Sequence, residues 1–280
     1  MTRNGPNHGN GQSHGPSGAH VAYHDLPFLD SDDARPLRIL AEYIEPLRRF
    51  RREHVHDTVV FFGSARMTAD GPLGRYYAEA RELARVLTLW SKTLPGNERF
   101  VVCSGGGGGL MEAANRGALD AGGRTIGLNI GLPHEQRPNP YVTPELLFEF
   151  HYFFMRKLWF SHLARALVVF PGGFGTLDEM FEFLTLAQTR KLERQMPIVL
   201  YGTAYWKEIV DFEALARHGM IDPADLALFS FVDDPQAALA LLQAKLPAHV
   251  EATTPAFAKS RTPPRPPDGP PESAPAKKAP

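Results

Sequence analysis

Three short stretches hold the residues that could do chemistry. The first is Pro171-Gly172-Gly173-Phe174-Gly175-Thr176-Leu177-Asp178-Glu179. An apolar run, Arg165 to Phe170, precedes it with strand character, and from Thr176 the apolar positions switch to helical spacing at Leu177, Met180, Phe181 and Leu184. Strand, glycine turn and helix in that order expose bare backbone N–H groups at a helix N-terminus, where the macrodipole also favours an anion. Thr176 and Glu179 are three apart, the spacing of a capping box. Glu179 therefore has two readings: it ties down the helix start, or it faces a ligand whose phosphate rests on residues 172–176.

The second stretch is Ser104 followed by five glycines, Gly105 to Gly109, again after a strand-like run, Phe100 to Cys103. The third is Arg156-Lys157, near the start of a helix that leads into the strand before Pro171. Cations opening a helix oppose the dipole unless an anion offsets them. Arg156 facing inward toward a ligand is the functional reading, and a solvated surface pair is the plain one.

These stretches need a frame. Helical spacing covers Pro36 to Arg52, with Leu37, Leu40, Ala41, Ile44 and Leu47 on one stripe and Pro46 predicting a kink or an early end. Strands are predicted at Thr58 to Phe62, Phe100 to Cys103, Arg124 to Ile130, Leu146 to Phe154, Arg165 to Phe170, Pro197 to Tyr201 and Leu228 to Val232. Helices between and after them include Tyr205 to Ala216 and Pro235 to Leu246. This alternation predicts an α/β fold, a Rossmann-like parallel sheet with helices on both faces in a single domain. Ligands in such sheets bind at the carboxyl ends of the strands, so Gly63-Ser64 and the two longer glycine turns should line one crevice.

Neither common nucleotide fingerprint fits. A G-x-G-x-x-G reading from Gly105 fails at Leu110, and no glycine run is followed by the Lys of a P-loop. Two short anion turns suit a single phosphate, such as that of a nucleoside monophosphate, better than a pyrophosphate.

Composition bounds the remainder. The chain has 280 residues and a net charge of −1, which gives no global field to draw nucleic acid. Its single cysteine, Cys103, permits no internal disulfide and suits a reducing compartment. There is no apolar leader or membrane-length run, so a cytoplasmic protein is expected, with no membrane partner. The N-terminal histidines His8, His14, His20 and His24 lack regular ligand spacing, and no metal or cofactor is expected. Residues 1–34 and 251–280 are expected to be disordered tails around a catalytic domain at 35–250, because both ends are poor in apolar residues.

The second and third stretches and the PGGxGTxxE pattern of residues 171–179 together resemble the LOG (Lonely Guy) family, as does Leu132-Pro133-His134-Glu135-Gln136. The resemblance spans about Val59 to Gly202. It implies hydrolysis of the base–ribose bond of a nucleoside 5′-monophosphate by a homodimer. It also implies Arg156 and Glu179 as the catalytic pair. Nucleotide contacts are implied for Ser64, Gly106, Gly107, Glu135, Arg156, Lys157, Gly172, Gly173, Phe174, Gly175, Thr176, Leu177, Asp178 and Thr185. Gly108 departs from the Pro common in bacterial members. The alternative class is a non-catalytic nucleotide-binding protein, which needs the turns but not the Glu179 carboxylate. Lysine decarboxylation, a label such proteins often carry, would need a cofactor-linked lysine on a larger scaffold.

Removing residues 1–19 and 251–280 together is expected to leave the melting temperature and cooperativity of the core unchanged in a thermal scan. A large fall would show that one of these ends packs on the domain.

Overall fold

The structure, a computed structural model, describes residues 21–95, 98–131, 137–192 and 196–246. Seven strands form one parallel sheet: β1 Asp57–Phe62, β2 Phe100–Ser104, β3 Thr125–Ile130, β4 Leu147–Phe150, β5 Ala164–Val169, β6 Ile198–Tyr201 and β7 Phe229–Val232. Their spatial order is β4-β3-β2-β1-β5-β6-β7, and every neighbouring pair runs parallel. The order reverses between β1 and β5, the doubly wound pattern whose crevice opens at that switch.

Strand residues alternate between two cores, as a period of two demands. Val60 and Phe62 of β1 enter one core with Trp159, Phe160, Met180, Phe183 and Trp206. Val59 and Phe61 enter the other with Leu83, Leu87, Ala113 and Leu242. The first face is covered by α2 Arg35–Arg52, α5 Phe153–Leu163 and α6 Phe174–Gln188 among others, and the second by α3 Gly74–Thr93, α4 Leu110–Asp120 and α9 Pro235–Lys245. Cys103 is buried and unbridged in the first core, and burial pushes its thiol well above the usual range.

Four sequence expectations need correction. Helix α2 runs through Pro46 without stopping. Proline removes the N–H that would have bonded to the Glu42 carbonyl, and the Trp159 indole N–H donates to that carbonyl instead at 2.9 Å. The stripe of α2 is also rotated: Ile39, Tyr43, Leu47 and Phe50 pack on the core, while Leu37, Leu40 and Ile44 are about half exposed. The stretch 146–154 is only partly strand, since helix α5 already begins at Phe153. The helix expected at 205–216 is two helices, α7 Thr203–Ile209 and α8 Phe212–Arg217, because Asp211 accepts from Ala214 N–H and starts a new one.

Part of the stretch read as N-terminal tail has structure. A 3₁₀ turn, Ala22–His24, precedes α1 Leu26–Asp30, and Arg38 of α2 donates to the carbonyls of Leu29 and Ser31 at 2.5 and 2.6 Å. The guanidinium supplies the tie that the sparse apolar residues do not.

Helix α2 also sets the start of α5. The Glu42 carboxylate accepts from the backbone N–H groups of His151 and Tyr152 at 2.7 and 3.2 Å, immediately before that helix. Trp159→Phe keeps the ring packing and removes the donor to the Glu42 carbonyl. It should cost about 1–2 kcal/mol of stability, read as a melting point lower by roughly 2–8 °C. An unchanged melting point would show that the carbonyl is equally well satisfied without Trp159.

Candidate active site

The crevice is built from three turns that grip one another. Phe170 N–H bonds to Phe62 O at 2.8 Å, Ser64 N–H to Pro171 O at 3.1 Å, and Leu110 N–H to Ser64 O at 3.0 Å. Ser64 thereby joins the β1 turn to both glycine turns, and its hydroxyl accepts from Arg66 N–H. Two glycines are required here. Gly109 has φ +64°, and a Cβ on it would collide with the backbone of Ser64 and Ala65. A Cβ on Gly172 would collide with the Thr176 side chain and lie 3.0 Å from Ser64 N. The Gly172 carbonyl is fixed by the Tyr205 hydroxyl at 2.9 Å.

Helix α6 starts at Phe174, two residues before the sequence suggests. Its first intrahelical bond is Leu177 N–H to Gly173 O at 3.0 Å. The N–H groups of Phe174, Gly175 and Thr176 therefore have no partner within the helix and point out of its N-terminus. A Cβ on Gly173 or Gly175 would meet nothing within 4 Å, and the Phe174 ring is 93% exposed. The turn is open to a ligand.

The capping box does not form: the N-cap is Gly173, with no side-chain cap bond. Glu179 sits in the second turn, on the buried face with Thr176, Met180 and Phe183, and is 3% exposed. Its Oε1 accepts from Arg156 Nη2 at 3.2 Å. Among the described residues, Glu179 Oε2 and Arg156 Nε are buried without a hydrogen-bond partner. The Arg156 guanidinium lies over the Phe153 ring at 4.8 Å, with the Phe160 ring at 5.8 Å.

This burial decides the carboxyl's charge. A carboxylate in the first turn of a helix would be held ionised by the dipole. Desolvation instead pushes the Glu179 pKa up to about 7, against the opposing pull of Arg156 and Lys157. The dipole acts only within the first turn, and Glu179 lies below it. Burial likewise lowers the Arg156 pKa, against Glu179 and Asp178, but a guanidinium starts so high that it stays cationic.

Lys157 is a tie between helices. Its ammonium is 2.8 Å from both Asp178 and Glu182 of α6. Burial lowers its pKa, the bonds to Asp178 and Glu182 raise it, and the net direction is up. A doubly paired, protonated lysine is a poor imine-forming amine. Leu177 is partly buried against the first core. Thr185 is exposed and bonds back to Phe181 O, roughly 16 Å along α6 from Phe174, so within one chain it is not brought to the crevice. Gly106 and Gly107 lie buried in the β2 turn. Glu135 lies outside the described residues. Among the described residues no group of three His, Cys, Asp or Glu could hold a metal ion, and no helix is long and apolar enough to cross a membrane.

Sequence reasoning missed Glu42, Tyr205, Asn115 and Asn139. Each acts through a contact between distant segments, and a polar residue such as Asn139, set between Pro138 and Pro140, looks like ordinary loop.

Residues 111–242 match the family model described as "Possible lysine decarboxylase". A cytokinin riboside 5′-monophosphate phosphoribohydrolase of Rhodococcoides fascians is 28% identical over 188 residues, covering 59% of this chain and 93% of that protein. Over these stretches the chain is similar to proteins of the LOG family. A rice protein (Oryza sativa subsp. japonica), the cytokinin riboside 5′-monophosphate phosphoribohydrolase LOG, is 30% identical over 142 residues, 49% of this chain and 52% of the rice protein. Among solved structures, the molybdenum cofactor binding protein of Rippkaea orientalis is 20% identical, covering 68% of this chain and 96% of its own, with a TM-score of 0.48. The X-ray structure of TM1055 is 21% identical, covers 67% of this chain and 99% of its own, and has a TM-score of 0.49. The relatives support a nucleotide phosphoribohydrolase role at the level of the family.

The raised Glu179 pKa has a stability consequence. Between the ordinary value of 4.5 and about 7, the folded state keeps a proton that the unfolded chain releases. Stability therefore falls as pH rises through that window, by an amount on the order of 3 kcal/mol. Glu179→Gln cannot ionise, so its advantage over the wild type should grow from near zero at low pH to its full size above pH 7. Parallel melting curves for the two proteins across the range would refute this.

Proposed function

We propose that the protein hydrolyses the N-glycosidic bond of a nucleoside 5′-monophosphate, AMP or its N6-prenylated cytokinin form, to free base and ribose 5-phosphate. The observation that carries this reading is the buried Arg156–Glu179 pair, which shares one hydrogen bond and leaves a donor and an acceptor unpartnered. Such atoms cost about 1–3 kcal/mol each when nothing meets them. A site that retains them beside an open anion turn suits a ligand carrying both a phosphate and hydroxyl groups.

The phosphate would rest on the N–H groups of Phe174, Gly175 and Thr176, where the helix dipole favours it. Glu179 lies on the same face as Thr176, three residues on and so roughly 4.5 Å further along the axis. A 5′-phosphorylated ribose spans a comparable distance from phosphorus to anomeric carbon. Breaking the glycosidic bond builds positive charge on that carbon, as in other glycoside hydrolysis. Ionised Glu179 would stabilise that charge and take a proton from the attacking water. Arg156 would hold a sugar hydroxyl or phosphate oxygen and so fix the ribose against the carboxylate. A pKa near 7 leaves a usable fraction of the base ionised at neutral pH while keeping it basic enough to act.

The same reading makes the protein a cytoplasmic homodimer. Helices α2 and α5 pack on each other and leave Leu37, Leu40, Ile44, Phe154 and Leu158 substantially exposed. Light scattering at micromolar concentration should give twice the chain mass, and a monomer mass would contradict this part.

Incubation with AMP and with isopentenyladenosine monophosphate, followed by chromatography of free base, tests the activity. Base should appear from at least one of the two, while adenosine, lacking the phosphate, should react far more slowly. Equal turnover of adenosine and AMP would contradict the role given to the α6 turn.

A further inference from the structure

The glycine turn after β2 is held by an asparagine from a different segment. Asn139 Nδ2 donates to Gly107 O at 2.9 Å and to Gly106 O at 3.1 Å, and Asn139 N–H donates to Gly106 O at 2.8 Å. The same amide nitrogen is 2.9 Å from Asn115 Oδ1, which also accepts from the Ser104 hydroxyl at 2.8 Å. Ser104 Oγ in turn accepts from Gly106 N–H at 3.0 Å. Asn115 Nδ2 donates to Thr125 Oγ1 and to Ile126 O, and Asn139 Oδ1 accepts from Tyr141 N–H. Asn139, Asn115, Ser104 and Thr125 are all buried. Every amide group in this network has a partner, so both amide orientations are fixed by their neighbours.

The consequence follows from peptide geometry. In a trans peptide the C=O and the following N–H point in opposite directions. With the Gly106 and Gly107 carbonyls drawn toward Asn139, the N–H groups of Gly107 and Gly108 point away from it. Asn139 reaches the turn from the segment after β3, and on the other side the turn is closed by Ser64 and Ala65 of the β1 turn. The two N–H groups are thereby turned away from Asn139 and the β3 side.

We infer that Asn139 is a positioning residue that orients the Gly107 and Gly108 amides as a second set of anion donors, facing the crevice together with the α6 N-terminus. The inference rests on the phosphorylated-ribose reading above and deepens it, since it says which backbone groups outside residues 172–176 meet the ligand. It also ties the segment carrying Asn139, which directly follows residues 132–138, to the glycine turn.

The test uses the full chain labelled with ¹⁵N-glycine and titrated with ribose 5-phosphate. Gly107 and Gly108 amide resonances should shift along with those of Gly173 and Gly175, and saturate with them. Shifts confined to Gly173 and Gly175, or no binding of ribose 5-phosphate at all, would overturn the inference. Binding with the expected shifts but without base release from AMP would overturn only the hydrolase reading. Asn139→Ala should weaken ribose 5-phosphate binding by roughly tenfold or more through loss of oriented donors, raise KM for AMP more than it lowers kcat, and speed hydrogen exchange of residues 105–109. Asn139→Ser, whose hydroxyl can still donate to one carbonyl, should recover part of the affinity. Unchanged binding in a folded Asn139→Ala protein would leave Asn139 a purely structural residue. Should that variant fail to fold, the wild-type titration decides alone.

Discussion

A carboxyl group buried beside a guanidinium, on adjoining helices, is the constraint around which this molecule is arranged. Removing Glu179 and Arg156 from water is expensive, and a single 3.2 Å hydrogen bond does not offset it. The helices that carry them must therefore be held by other means. Lys157 bridges α5 to Asp178 and Glu182 of α6, Glu42 of α2 holds the start of α5, and Tyr205 holds the Gly172 carbonyl before α6. The stabilising contacts lie at the edges of the site, and the incompletely hydrogen-bonded pair lies at its centre. That division is the usual one where polar groups are kept poised for a ligand.

The sheet supplies the second condition. Its order reverses between β1 and β5, so the helices that follow these strands pack on opposite faces, α3 on the second and α6 on the first, and a crevice opens between them. The Ser64 backbone closes the floor of that crevice by bonding to both neighbouring turns. Unpartnered backbone N–H donors at the helix N-terminus and a carboxylate about one turn below them then share one face of α6. Neither feature alone would specify a reaction; their spacing on a single helix fits a phosphorylated sugar.

Much of this was legible in the sequence because it is local. The alternation of apolar runs with helical spacing gives the parallel sheet, and a glycine turn between strand and helix gives the open helix N-terminus of α6. Arg156 and Glu179 stood out through their motifs. What was not legible depends on contacts between distant segments. Pro46 looked like a break because nothing local shows that Trp159 satisfies the carbonyl it frees. The 176–179 spacing matched a capping box, yet the helix begins two residues earlier and turns Glu179 inward, which reverses the expected shift of its pKa. Asn139 lies 32 residues from the Gly107 carbonyl it holds, and no short pattern records that.

The central claim is that the Glu179 negative charge acts on the reacting sugar. Glu179→Gln preserves the length of the side chain and can still accept from Arg156, so the most direct measurement is single-turnover release of base from AMP by this variant, with AMP affinity measured in parallel. The account predicts a folded protein that binds AMP at least as tightly as the wild type and releases base about 10²–10³ times more slowly. Base release at the wild-type rate, with binding intact, would contradict it.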